Sequence, residues 1–103
     1  MATPRPGDLF RKDPSGKLIY DMDWGTDGYL GSSVTIATST WAVSGDDAVL
    51  TTDNASLPSA RIARVRLLAG TLGKRYTVTN HIITNESPTQ EDDRSFDVLI
   101  QNR

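Results

Sequence analysis

Cysteine is absent from the chain. Disulfide staples are therefore excluded, and a structural zinc site, which ordinarily needs thiolates, has no basis. Histidine occurs once, as His81. A single imidazole is thin material for a nucleophile–base pair. Long apolar runs are missing too: nothing approaches the ~20 residues that a membrane-spanning helix requires. Met1–Gly16 lacks the apolar core of a signal peptide. The net charge is −2, without the basic excess that tracks nucleic acid. These absences point away from enzymes, metalloproteins, nucleic-acid binders and membrane proteins. No cofactor and no metal are expected.

The chain has 103 residues, of which 37% are hydrophobic and 23% charged. That is enough for one thin core and no second domain. Charge is unevenly placed. Residues 1–17 hold four basic residues (Arg5, Arg11, Lys12 and Lys17) against Asp8 and Asp13, a net +2; the remaining residues sum to −4. The same segment contains Pro4, Pro6, Pro14, Gly7 and Gly16. It reads as an extended N-terminal arm, residues 1–17, ahead of a globular domain, residues 18–103. Leu9 and Phe10 are the arm's only large apolar residues. Two hydrophobes in a polar surround pin themselves to something, either their own domain or a neighbouring chain. The expectation is that Leu9, Phe10, Arg11 and Lys12 dock the arm onto a neighbour.

Beyond the arm, period-two alternation dominates. Lys17–Trp24 sets Leu18, Tyr20, Met22 and Trp24 against Ile19, Asp21 and Asp23. Ser33–Val43 is rich in β-branched residues, but Val34 and Ile36 differ in parity from Trp41 and Val43. A bulge near Thr38–Ser39 would reconcile them. Ala48–Leu50 is at most a short strand, and Thr51–Ala60, polar and containing Pro58, reads as a loop. Ile62–Leu68, Arg75–Thr84 and Arg94–Gln101 are strands, the last two joined by an acidic loop over 85–93. Turn clusters fall at 25–28 and 44–47. No segment has helical periodicity. The chain is read as all-β, an immunoglobulin-like or fibronectin type III-like sandwich. Its expected core is Tyr20, Met22, Trp24, Val34, Ile36, Trp41, Val65, Leu67, Tyr76, Val78, Ile82, Phe96, Val98 and Ile100.

Few residues suggest chemistry. His81 has the parity opposite to Tyr76, Val78 and Ile82, which faces it to solvent with no evident carboxylate partner. Glu86, Glu91, Asp92 and Asp93 lack the spacing of a calcium loop. Asp21 and Asp23 suit an edge strand that must discourage pairing with other chains. Arg64 and Arg66 share one strand face and are candidate partner-binding residues. Trp24 and Trp41 supply the large apolar area that a thin core needs. Gly73-Lys74-Arg75-Tyr76-Thr77-Val78 places Tyr76 where a late sandwich strand begins, and its hydroxyl is expected to anchor the preceding corner.

Four segments occur in a telling order. Phe10-Arg11-Lys12-Asp13-Pro14 leads to Tyr20-Asp21-Met22-Asp23-Trp24. Val34 to Trp41 ends in Ser39-Thr40-Trp41. Gly70 to Asn80 reads G-x-x-G-x-x-Y-x-x-x-N, and Asp92-Asp93-Arg94-Ser95-Phe96 follows. This order resembles the small tailed-phage fiber-tail adaptor, or neck, proteins, over most of residues 10 to 100. The loops 53–60 and 86–93 depart from that pattern. The resemblance implies a non-enzymatic virion protein, made in the host bacterial cytoplasm and placed at the head–tail junction. Its implied partners are portal, head–tail adaptor, tail or fibre subunits, met in a symmetric ring. The competing expectation is a small immunoglobulin-like module that binds carbohydrate or peptide at its loops.

Overall fold

Where hydrophobic residues alternate most regularly, the strands are longest and best buried. The computed structural model describes residues 3–5, 7–25, 34–45 and 47–102. Within them lie seven strands: β1 (Leu9–Lys12), β2 (Leu18–Asp23), β3 (Ile36–Gly45), β4 (Thr51–Ser59), β5 (Ile62–Leu68), β6 (Arg75–Thr84) and β7 (Glu91–Ile100). They form two packed sheets, one ordered β1-β7-β6-β3 and the other β2-β5-β4. β1 runs parallel to β7, and every other pairing is antiparallel.

The inward parity of each strand builds one core. β5 contributes Ala63, Val65 and Leu67, β6 Tyr76, Val78 and Ile82, and β7 Phe96, Val98 and Ile100. β2 adds Tyr20 and Met22, and Trp24 follows at its end, fully buried. Of the expected core, Val34 and Trp41 are only partly buried. Trp41 shares the inward parity of β3, but β3 is the last strand of its sheet among the described residues, and the ring is only partly buried. Its Nε1 finds no acceptor among the described residues. Leu50, read as part of a minor strand, belongs to the core as well.

One buried polar group ties the sheets together. Asn80 is inaccessible to solvent. Its Oδ1 accepts from Trp24 Nε1 at 2.7 Å, while its Nδ2 donates to Ser39 Oγ and to the Thr40 carbonyl. A buried amide so satisfied costs little, whereas one left unpaired would cost about 1–3 kcal/mol.

The corner before β6 is built as expected. The Tyr76 hydroxyl accepts the Thr71 N–H at 3.0 Å and donates to Asp47 Oδ1 at 2.5 Å. Gly70 lies beneath it at φ +104°, where a Cβ would stand 2.7 Å from Ile100 Cδ1. Gly45 likewise makes room, since a Cβ there would meet the Tyr76 ring at 2.7 Å.

Two expected loops are strands. Thr51–Ser59 forms β4, an edge strand with register breaks at Asp53/Ser56 and Ser56/Ser59. Its side chains are almost all exposed, so burial imposes no alternation for sequence reasoning to detect. Glu91–Asp93 extends β7 rather than its loop. The bulge expected near Thr38–Ser39 is present as a shift between Ile36 and Thr38. Residues 26–28 of one expected turn, Asp46 of the other and Ser33 of the second expected strand lie outside the described residues.

The N-terminal segment differs most from expectation. Residues 9–12 form β1 and extend the larger sheet beside β7, and Gly7 and Asp8 continue the backbone bonding to Ser95 and Asp97. The Phe10 ring meets Tyr20 edge-on at 5.3 Å and Phe96 at 5.7 Å. The division at residue 17 therefore separates a strand from its own sheet. Prolines and glycines marked the flanks of this segment, but the strand between them is only four residues long.

Two stability measurements follow. Trp24→Ala empties a fully buried site and loses the bond to Asn80, for a cost of about 3–5 kcal/mol, whereas half-buried Trp41→Ala costs about 1–3 kcal/mol. Denaturant unfolding that ranks them in reverse would mean that the core is misplaced. Deleting residues 1–16 removes β1 and the Phe10 ring and lowers Tm by about 10 °C or more. A truncated chain melting within a few degrees of the full chain would show that β1 contributes nothing.

Candidate functional site

The candidate residues from the sequence lie on the strand surfaces of this framework. Among the described residues, no group of three or more His, Cys, Asp or Glu is placed to hold a metal ion.

The N-terminal candidates separate. Leu9 and Arg11 have the outward parity of β1 and are exposed, while Phe10 packs against the aromatic core. Lys12 has no solvent exposure. Its Nζ donates to the Asp13 carbonyl at 2.9 Å and to the Ala69 carbonyl at 2.6 Å, pinning the end of β1 to the corner after β5. Burial pushes its pKa below the ordinary lysine value, partly countered by the Asp13 charge. Phe10 and Lys12 are thus corrected from docking residues to structural ones: their reach is consumed within the domain.

Arg64 and Arg66 stand side by side on the outer face of the smaller sheet, where the parity of β5 puts them. Each is engaged two-pronged with a carboxylate on an adjacent strand. Arg64 reaches Asp21 on β2 at 2.8 and 3.1 Å, and Arg66 reaches Asp53 on β4 at 2.7 and 2.6 Å. Hydrogen bonding to these carboxylates raises the pKa of both guanidinium groups, and the bond from Arg66 lowers that of Asp53. The face is a flat ladder of compensated charge across β2, β5 and β4. Such solvent-screened pairs contribute little to stability individually. They do fix a charge pattern that another protein can meet.

The outer face of the larger sheet has its own ladder. Arg75 and Thr77 on β6 both bond Asp97 on β7, and Thr79 bonds Ser95. Further along, His81 does have carboxylate partners, which corrects the sequence reading. Its Nδ1 lies 2.5 Å from Asp93 and its Nε2 3.0 Å from Glu91. Their oxygens favour the charged imidazolium, so its pKa is raised, by Asp93 first and Glu91 second. The signal was hidden because Glu91 and Asp93 look like loop acids until β6 and β7 are paired, which sets His81 opposite Asp93. The exposed imidazole is held between two carboxylates and acts as a charge clamp.

Residues beyond the initial candidates complete the picture. Arg94 lies over the Trp24 ring, 4.9 Å from its centroid, and donates to the Asp23 carbonyl. Arg61 donates to the Val34 carbonyl. Both guanidiniums close the far end of the sandwich from the Tyr76 corner.

The family model described as podophage GP4 fiber-tail adaptor protein gp77 matches residues 12–99. No curated protein gave a significant match. Among solved structures, the cysteine protease inhibitor EhICP2 from Entamoeba histolytica is similar, with a TM-score of 0.57 and 8% sequence identity. The alignment covers 98% of this chain and 92% of that one. At such identity the likeness shows the two-sheet fold alone. Amebosin aligns at a TM-score of 0.40 and 6% identity, over 98% of this chain and 95% of that one.

The His81 clamp makes a pH prediction. Its folded pKa is raised above the unfolded value of 6.5, so its stabilisation is complete below that pH and fades as pH rises through the folded pKa. NMR should find the ring titrating above 6.5, and His81→Gln should abolish any loss of Tm across that interval. Titration at or below that value would show that the carboxylates do not hold the ring.

Proposed function

The chain belongs to the podophage fiber-tail adaptor family, and we propose that it is an immunoglobulin-like adaptor repeated around the head–tail junction, joining connector subunits to the tail or its fibres. The family is a structural one: the chain is a non-enzymatic component of the virion and binds other virion proteins. The observation that carries the reading is the extent of the family match. Residues 12–99 run from the end of β1 almost to the end of β7, so the family resemblance covers the domain rather than a fragment of it.

The physical character of the domain supports an adaptor. Both outer faces carry cross-strand hydrogen-bonded pairs. The strand order supports the immunoglobulin-like assignment. β7-β6-β3 and β2-β5-β4 reproduce the two three-stranded groupings of that fold, with β1 added beside β7. A tyrosine anchors the corner before the penultimate strand, as in that fold. A rigid body of this kind loses little entropy when it is fixed between neighbours. In a ring, weak contacts per copy add through multivalency.

Contacts are assigned to Leu9 and Arg11 on β1 and to the Arg64/Arg66 face, where Asp21 and Asp53 already hold the guanidiniums in place. The test is a phage unable to make this chain. Its particles should lack fibres or separate at the junction, and the wild-type protein supplied in trans should restore them. Arg64→Gln/Arg66→Gln should keep the fold yet lower incorporation. Complete, infectious particles formed without the chain would refute the adaptor reading.

A further inference from the structure

A loop tip ordinarily carries glycine, proline or polar residues, because its side chains meet water. Two neighbouring tips at the Tyr76 pole depart from that rule. The Lys74 N–H donates to the Thr71 carbonyl at 3.0 Å and closes a turn, with Gly73 at φ +83°. Leu72 stands at its apex. At 53% exposure it is the most exposed large hydrophobic side chain among the described residues. The second tip follows β3, where Ala48 is exposed and Val49 is 45% exposed, next in rank to Leu72. A turn with glycine in its third place accepts proline or a polar residue in its second, so the fold does not call for leucine there.

The two tips are held to one another. Asp47 accepts the Val49 N–H at 3.1 Å, the Thr71 hydroxyl at 2.8 Å and the Tyr76 hydroxyl at 2.5 Å. One carboxylate therefore fixes Val49 beside the residue that precedes Leu72. Gly73 donates to the Ile100 carbonyl at 2.8 Å and ties the turn to β7. Side chains on loops so braced lose little freedom when they make a contact. Their surround is basic. Lys17 and Lys74 are exposed at this pole, and Arg11 and Arg75 are exposed on either side of Leu99. Arg75 is engaged by Asp97, yet a positive balance remains. Among the described residues of the pole, Arg11, Lys12, Lys17, Lys74 and Arg75 stand against Asp13, Asp47 and Asp97, a net +2 on a chain of net −2.

We propose that this pole is a plug: Leu72 and Val49 enter an apolar pocket on a neighbouring virion protein, and carboxylates on the rim of that pocket face Lys17 and Lys74. A protruding apolar pair is desolvated by a concave partner, and its basic surround selects an acidic rim. A second copy of this chain in two-fold pairing fits less well. It would set protruding tips against protruding tips and one basic pole against another. The inference rests on the adaptor reading and locates a contact on the fold.

Hydroxyl-radical footprinting tests it, comparing the purified chain with intact particles that contain it. Oxidation of the Leu72 and Val49 side chains should fall about tenfold in the particle, as for side chains in a desolvated pocket. In parallel, Leu72→Ser/Val49→Ser should melt like the wild type, because both side chains already meet water. Supplied in trans, it should enter particles about tenfold less well. Leu72→Met/Val49→Ile keeps the tips apolar and should enter normally, whereas Lys17→Glu/Lys74→Glu should again lower entry about tenfold. Particles that contain the chain with Leu72 oxidised as in the purified chain, or that accept the serine variant normally, would overturn this inference alone. A serine variant melting far below the wild type would also overturn it, since the two side chains would then serve the fold. Protection of Leu72 in the concentrated purified chain would do the same, making the occupant a second copy. Particles that never contain the wild-type chain would overturn the adaptor reading and this inference with it.

Discussion

The Tyr76 hydroxyl holds together the pole of the sandwich on which the rest of the chain depends. It accepts from Thr71 and donates to Asp47, so one oxygen fixes the corner after β5 against the turn after β3. Lys12 adds β1 to the same pole through the Ala69 carbonyl, and Gly73 donates to the Ile100 carbonyl at the end of β7. Strands from both sheets therefore converge on a few hydrogen bonds. Asp47 is held below the usual carboxylate range, chiefly by the bond from Tyr76 and next by that from Thr71. The stabilisation from these bonds is present above the unfolded carboxylate pKa and is lost as pH falls through the lowered folded one. Asn80 does the corresponding work in the interior, binding Trp24 of one sheet to the β3 edge of the other. A domain this small cannot rely on apolar area alone, and these polar ties define a unique packing.

Much of this was legible in the sequence where burial enforces a rule. β5, β6 and β7 each bury one parity and expose the other, so Val65, Tyr76 and Phe96 announced themselves. The corner role of Tyr76 could be read from local spacing because a short stretch of chain builds the corner. What escaped was structure that burial does not stamp on the sequence. β4 is exposed along both parities, and β1 is four residues of extended chain between prolines and glycines. Trp41 has the right parity but the wrong place in the sheet, since only strand order reveals that β3 is an edge. Lys12 has the composition of a surface residue, and nothing local discloses the Ala69 carbonyl, 57 positions away, that receives its charge. The carboxylates around His81 were visible as residues, but their approach to the ring depends on the β6–β7 register.

The candidate site had a similar fate. Sequence composition favoured an adaptor by elimination, and the ordered motifs gave it a family. The structure then redistributed the residues. The arm's apolar and basic members turned inward at Phe10 and Lys12, leaving Leu9 and Arg11 outward. Arg64 and Arg66 kept their shared face but gained fixed acidic partners. The surface that emerges carries compensated charge on the outer faces of both sheets.

The central claim is the proposed one, that this member of the fiber-tail adaptor family sits at the head–tail junction, joining connector subunits to the tail or its fibres. Cryo-electron microscopy of the intact particle tests it most directly. The account predicts a ring of density that fits the two-sheet domain at the head–tail junction, in contact with connector or fibre subunits. Density for the domain at a distant site, such as the capsid shell, or its complete absence from purified infectious particles, would contradict it.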